Sequence, residues 1–284
     1  MESTISVKQP RAWRPLLDGE RVTVLPLVDD HGRTWNTGWS SETTGFEELP
    51  EVEVMCGALN TKRPTAAALW RQGNLLFFNF EQDPSDLNAV GRDLLENSIR
   101  YIARFSEDRP IAITPSVRTG AKTPPVRRWL AKELRAHFDG ERLPSWFAAD
   151  LCALYEDRGE EAFIAQFDRV RGSLRPDAKG KLIVDPDLAA WKIANNELLS
   201  IERCLRGLRA GDEDAVRARR LLARYVPCGP SPDAPSAEWT AWYEEHRPAL
   251  FFTDLGGYRW YVDPLAKARG VPTEELRGPA RADP

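Results

Sequence analysis

Cysteine, histidine and methionine are scarce in this 284-residue chain, at four, three and two residues. No apolar run approaches the roughly eighteen residues needed to cross a bilayer. Cys56, Cys152, Cys204 and Cys228 lie far apart and never form C-x-x-C, which argues against a zinc ribbon or a redox dithiol and for separate reduced thiols used as small apolar residues. His31, His137 and His246 form no pair at the i, i+4 spacing of a helical zinc site, so metal catalysis has no support from the sequence. The glycine-rich phosphate cradles G-x-x-x-x-G-K-[ST] and G-x-G-x-x-G and the hydrolase elbow G-x-S-x-G do not occur either. Neither sign of charge is in large excess. The net charge is -4; residues 1–115 hold 12 basic and 17 acidic side chains and the remainder 27 and 26, too balanced for strong attraction to a polyanion. The opening "MESTISVKQPRAW" has no basic region followed by an apolar stretch. A cytoplasmic protein is the expectation, or an exported one if the chain is an N-terminally truncated fragment.

The chain does have enough length for about two self-sufficient cores and near-average shares of apolar (42%) and charged (29%) residues. An α+β fold is expected, in three parts: a β-rich region over 1–115, a helical region over 116–227 and a small aromatic tail over 238–284. In the first part, Ala66–Arg71 and Leu75–Phe80 flank a Gln72-Gly73-Asn74 turn, which reads as a β-hairpin because Gly73 can supply positive φ. Both runs are apolar on both faces, so the hairpin is expected inside a covered sheet. Ser85 or Asp86 then caps a helix whose stripe is Leu87, Val90, Leu94, Leu95, Ile99, Ile102 and Phe105. Gly91 within it costs roughly 1 kcal/mol relative to alanine, offset if helix and sheet approach closely.

Prolines at 110, 115, 124 and 125 mark a boundary. Beyond it, helical spacing runs through 126–138, 145–157, 160–174, 198–208 and 215–225, with stops at Gly140 and Gly159. A helical bundle is favoured over a solenoid because no sustained repeat period is visible. The stretch "CGPSPDAPSA" is a linker. The tail then offers a helix around Trp239 and Trp242, a hairpin about "DLGG", and a helix capped by Asp263, opened by Pro264 and closed by Gly270.

The turn "WRQGN" between two apolar strands, followed by "GRDLLENSIRYIARF", resembles over residues 64–106 the end of ThuA-like domains, relatives of the class I glutamine amidotransferase fold. That resemblance implies a remnant of a carbohydrate-linked enzyme domain. The whole chain, including "RYVPCGP" and "GGYRWYVDPLAKARGVP", resembles a group of uncharacterised bacterial proteins, which implies relatives but no reaction.

Two residues qualify as catalytic candidates. Cys56 follows a β-prone run and precedes Gly57, as a nucleophile on a tight turn would, but Val54 stands where a small residue is wanted and no helix opens behind it. His31 follows Asp29 and Asp30 in a turn that could hold a base. A strand-end cysteine and a polar turn are the simpler readings. Basic clusters around Trp129 and over 217–224 suggest nucleic-acid binding, or more simply solvated helix faces, Trp129 falling on an apolar stripe with Leu130 and Leu134. The tail is the richest binding candidate. Trp239, Trp242, Tyr258, Trp260 and Tyr261, with Arg259 and Asp263, suit a platform for a protein or carbohydrate partner, unless the rings form the tail's own core. The function expected is therefore a non-catalytic binding or scaffold protein. Its alternatives are the ThuA-like remnant and weak nucleic-acid binding, and no cofactor or metal is expected.

Overall fold

A computed structural model describes residues 3–6, 21–24, 26–28, 40–43, 49–58, 66–80, 83–111, 126–273 and 275. The chain is α+β and divides into two compact units, Met1–Pro110 and Ile111–Pro284.

In the first unit, β1 (Ser3–Ser6) and β2 (Arg21–Val24) form an antiparallel pair. A second sheet contains β3 (Ser41–Glu42), β4 (Val52–Gly57), β5 (Ala66–Gln72) and β6 (Leu75–Phe78). β5 is central and buried along its whole length, with β4 on one side and β3 and β6 on the other. The β5–β6 turn is Gly73-Asn74, with Gly73 at φ 56°, as its permissive backbone predicts. Trp70 stacks on its cross-strand partner Phe77, ring centroids 4.2 Å apart. β6 itself is half-buried and exposes Leu75, so only one strand of the hairpin is enclosed as its apolar sequence suggested.

The helix after the hairpin, α1 (Ala89–Ile102), starts later than expected. Asn88 is its N-cap, accepting from Gly91 N–H at 2.9 Å. Ser85 and Asp86 lie in a preceding 3-10 turn capped by Asp83. Gly91 is at a close approach, but to the Pro26–Val28 segment and not to the sheet: a Cβ there would lie 2.3 Å from the Leu27 carbonyl oxygen. Asn88 N–H also donates to that oxygen.

The second unit begins with α2 (Arg127–Ala136), α3 (Leu143–Trp146) and α4 (Ala149–Val170). α4 is broken at Gly159, whose φ 79°, ψ -174° no L-residue adopts easily. The kink lets Leu151 and Cys152 before it and Phe163 and Phe167 after it enter one core with Leu130, Leu134, Leu174 and Leu182. A hairpin, β7 (Leu174–Pro176) and β8 (Leu182–Val184), and α5 (Pro186–Trp191) follow where helical spacing gave no signal. Next come α6 (Leu198–Ala210), α7 (Asp212–Tyr225) and α8 (Ser236–His246). Last are the antiparallel pair β9 (Leu250–Thr253) and β10 (Arg259–Val262), then α9 (Pro264–Arg269). The helical stretch and the tail share their cores. Tyr258 lies among Leu130, Phe163 and Leu174, while Trp239, Tyr243 and Trp260 pack with Ile201, Leu205 and Leu222.

Candidate functional site

Among the described residues, two buried polar nodes stand out in the second unit. The first is built on Arg127, which opens α2. Its backbone N–H donates to Asp254 Oδ2 at 2.8 Å, and its Nε and Nη2 donate to Asp254 Oδ1 at 3.0 and 2.8 Å. A carboxylate on the β9–β10 turn thus caps a helix that begins 127 residues earlier, a charge-assisted, multidentate contact. The remaining guanidinium nitrogen, Nη1, donates to the Arg171 carbonyl at 3.0 Å and to Asn195 Oδ1 at 2.9 Å. The Phe252 and Tyr258 rings lie 5.0 and 4.9 Å from the guanidinium carbon. Asn195 is fully buried, donates to the Leu174 carbonyl and accepts from Trp260 Nε1 through its own carbonyl at 2.6 Å.

The second node is Asp185, also without solvent exposure. Its Oδ1 caps α5 by accepting from the N–H groups of Asp187 and Leu188. Its Oδ2 accepts from Arg175 Nε at 3.1 Å, from Tyr225 Oη at 2.8 Å and from Arg224 Nη1. Asp187 receives Arg220 through two nitrogens, at 2.7 and 3.1 Å. The Arg220 hydrogen bond holds the Asp187 carboxyl below the usual carboxylate range, against the opposing effect of burial. Burial, then the Asp185 charge and hydrogen bond, pushes the Tyr225 phenol above its ordinary value. Both nodes join elements and leave their charges compensated, which suits holding the fold and not proton transfer.

The candidates named from the sequence are scattered. Cys56 is exposed on β4 at a bulge in its pairing with β5, and no hydrogen bond or ion pair links it to an acid or base among the described residues. His31 lies outside the described residues. Of the tail residues, Trp239, Tyr258, Trp260 and Asp263 are buried, Trp242 and Tyr261 are half-buried and Arg259 is exposed. Asp263 caps α9 through Leu265 and Ala266 N–H. Trp239 and Trp260 place their indole N–H groups on the carbonyls of Ser231 and Asn195. Trp129 is 46% exposed and meets Trp146 edge to face at 5.7 Å. It sits one position off the apolar stripe on which its neighbours Leu130 and Leu134 are buried.

Cys204 is in the α5–α7 core, where burial pushes its thiol up to about 12, which leaves it unreactive at neutral pH. In the first unit, Arg71, wholly buried under the Phe105 ring at 3.8 Å, donates to Glu53 Oε2 at 2.7 Å and to the Gly73 carbonyl at 2.7 Å. Tyr101 Oη donates to the same Glu53 oxygen at 2.6 Å. Among the described residues no group of histidine, cysteine and carboxylate side chains is arranged to hold a metal ion, and no helix is long and apolar enough to cross a membrane. No protein-family model, curated protein or solved structure matches this chain.

The Arg127 node has no local trace in the sequence. The Asp185 node has one: Val184-Asp185-Pro186 recurs as Val262-Asp263-Pro264, and an Asp-Pro pair entering a helix is an N-cap followed by proline at its first position.

Proposed function

We propose that the protein is a non-catalytic binding or scaffold module whose partner is another protein. The observation that carries this reading is the contrast between its polar and apolar residues. The described Asp185, Asp187, Asp254, Asp263 and Arg127 are engaged in helix caps and ion pairs, whereas Val54 and Met55 stand 45% and 40% exposed in β4 beside exposed Cys56 and Gly57. Adjacent exposed apolar side chains suit contact with the surface of a partner protein. In the second unit the same reading falls on Trp242, Arg259 and Tyr261, the tail residues that keep accessible surface, with Trp239, Tyr258, Trp260 and Asp263 supporting them from the core.

A photo-crosslinking residue at position 55 tests the proposal in extract from the native cell. A specific adduct is expected, lost in Val54→Glu/Met55→Glu and competed by unlabelled protein. If no adduct forms, and Tyr261→Ala/Arg259→Glu leaves pull-downs unchanged, the binding reading fails.

A second reading, a ThuA-like, carbohydrate-linked enzyme remnant, is supported by the hairpin-then-helix order found over residues 66–102. It requires a measurable turnover that Cys56→Ala or His31→Ala abolishes. A third, weak nucleic-acid binding, draws support from exposed Trp129 beside exposed Lys132, and a flat salt response of binding would end it.

A further inference from the structure

We infer that the second unit contains two copies of one structural unit, residues 160–193 and 236–271. The evidence is a one-to-one match of local geometry. Each copy opens with an eleven-residue helical run, Glu160–Val170 after the Gly159 kink and Ser236–His246. Phe163 and Phe167 are its buried anchors in the first copy, Trp239 and Tyr243 at the same places in the second. A three-residue 3-10 turn follows in each, Arg171–Ser173 and Arg247–Ala249. Then comes an antiparallel hairpin whose outermost pair is Leu174–Val184 or Leu250–Val262. The hairpin turn carries an aspartate whose carbonyl accepts from a glycine three residues on: Gly180 N–H to Asp177 at 3.0 Å, Gly257 N–H to Asp254 at 3.1 Å, with φ of 79° and 87°.

The ends of the two copies correspond bond for bond. Asp185 N–H donates back to the last 3-10 carbonyl, Ser173, at 2.8 Å, and Asp263 N–H does so to Ala249 at 2.6 Å. Each aspartate side chain caps the second and third residues after it. Each is followed by proline and a six-residue helix that ends in a left-handed residue, Lys192 at φ 54° and Gly270 at φ 62°. The next residue closes both helices in the same way, Ile193 N–H to Leu188 at 3.2 Å and Val271 N–H to Ala266 at 3.1 Å.

The copies also contribute to the same two cores. Leu188 of the first packs in the cluster of Trp239, Tyr243 and Trp260 of the second, and Tyr258 of the second packs among Phe163, Phe167 and Leu182 of the first. The sequence shows no fixed period because the separation drifts: 76 residues at the helices, 77 at the turns and 78 at the caps. What recurs is the turn and cap chemistry, while the core residues vary in identity. The α6–α7 pair and the linker after it lie between the copies.

The equivalence makes a reciprocal demand at the left-handed position that ends both six-residue helices, where a lysine in one copy faces a glycine in the other. Lys192→Gly removes a left-handed strain that the second copy avoids, and is expected to raise the melting temperature of the full chain by roughly 2–4 °C. Gly270→Lys is expected to lower it by a similar amount and to keep the native circular dichroism, with Gly270→Asn, which tolerates this backbone better, falling between. Hydrogen exchange should show Ile193 and Val271 amides protected in wild type and in all three variants. A fall on Lys192→Gly, or loss of the α9 amides on Gly270→Asn, would mean that the two closures are unrelated and would overturn the inference.

Discussion

Replacing Asp185 by alanine removes more than its one charge suggests. The substitution deletes the α5 cap, a loss of about 1 kcal/mol. It leaves the Tyr225 hydroxyl, which donates to Asp185 at 2.8 Å from a residue 5% exposed, buried without that acceptor, for a further 1–3 kcal/mol or so. Arg175 and Arg224 lose a partner too, but their side chains are 25% and 30% exposed and regain water, so the several kcal/mol of an uncompensated buried charge does not apply in full. The total is about 2–4 kcal/mol, or roughly 4–16 °C in Tm for a domain of this size. Urea denaturation followed by circular dichroism measures it. Asp185→Asn keeps the capping oxygen and is expected to cost less than half as much. An Asp185→Ala protein within about 0.5 kcal/mol of wild type, the spread of ordinary surface substitutions, would refute the argument that this buried carboxylate joins α5, β7 and α7.

Gly91→Ala is expected to destabilise the first unit, because the added methyl would lie 2.3 Å from the Leu27 oxygen; local hydrogen exchange of Asn88 and Gly91 reports it, and a stabilised variant would follow only if helix propensity alone decided the outcome. Gly159→Ala meets no neighbour within 4 Å but sits at φ 79°, so a loss of about 1–2 kcal/mol from backbone strain alone is expected, read in the same urea transition. Asp187 contributes a pH dependence with a defined sign. Its folded carboxyl is depressed by Arg220, so its contribution is complete above the ordinary carboxylate range and is lost as pH falls through the depressed folded value. Acid titration of wild type should therefore be steeper than that of Asp187→Asn over that window. Thiol reagents at neutral pH should modify exposed Cys56 and spare buried Cys152 and Cys204 until the protein unfolds.

Local signals in the sequence translated well where one residue type has one backbone role. Gly73 made the β5–β6 turn, Gly159 broke the helix, and Asp263, Pro264 and Gly270 bounded α9 in the positions their chemistry favours. Periodicity also located α1, α2, α6 and α7. It failed for β7, β8 and α5, because three-residue strands and a six-residue helix are too short to show a period. Trp129 is exposed although it adjoins the apolar stripe, because apolar character alone does not fix the phase of a ten-residue helix. The long-range pairs of the polar nodes were illegible for a different reason. Arg127 meets Asp254, and Asp185 meets Arg224, across 127 and 39 residues, and such pairings follow from tertiary folding with no local trace. Within the aromatic tail the sequence could not separate core from surface; the fold buries Trp239, Tyr258 and Trp260 and leaves Arg259 outside.

A double-mutant cycle on Arg127→Met and Asp254→Asn measures most directly whether the buried polar groups hold the molecule together. The pair is 10% and 12% exposed, with two guanidinium nitrogens on Asp254 Oδ1 at 2.8 and 3.0 Å, and should give a coupling of roughly 1.5–3 kcal/mol in unfolding free energy. Additive effects, with coupling near zero, would show that the two residues do not depend on each other for stability and would contradict the reading of these nodes as structural ties.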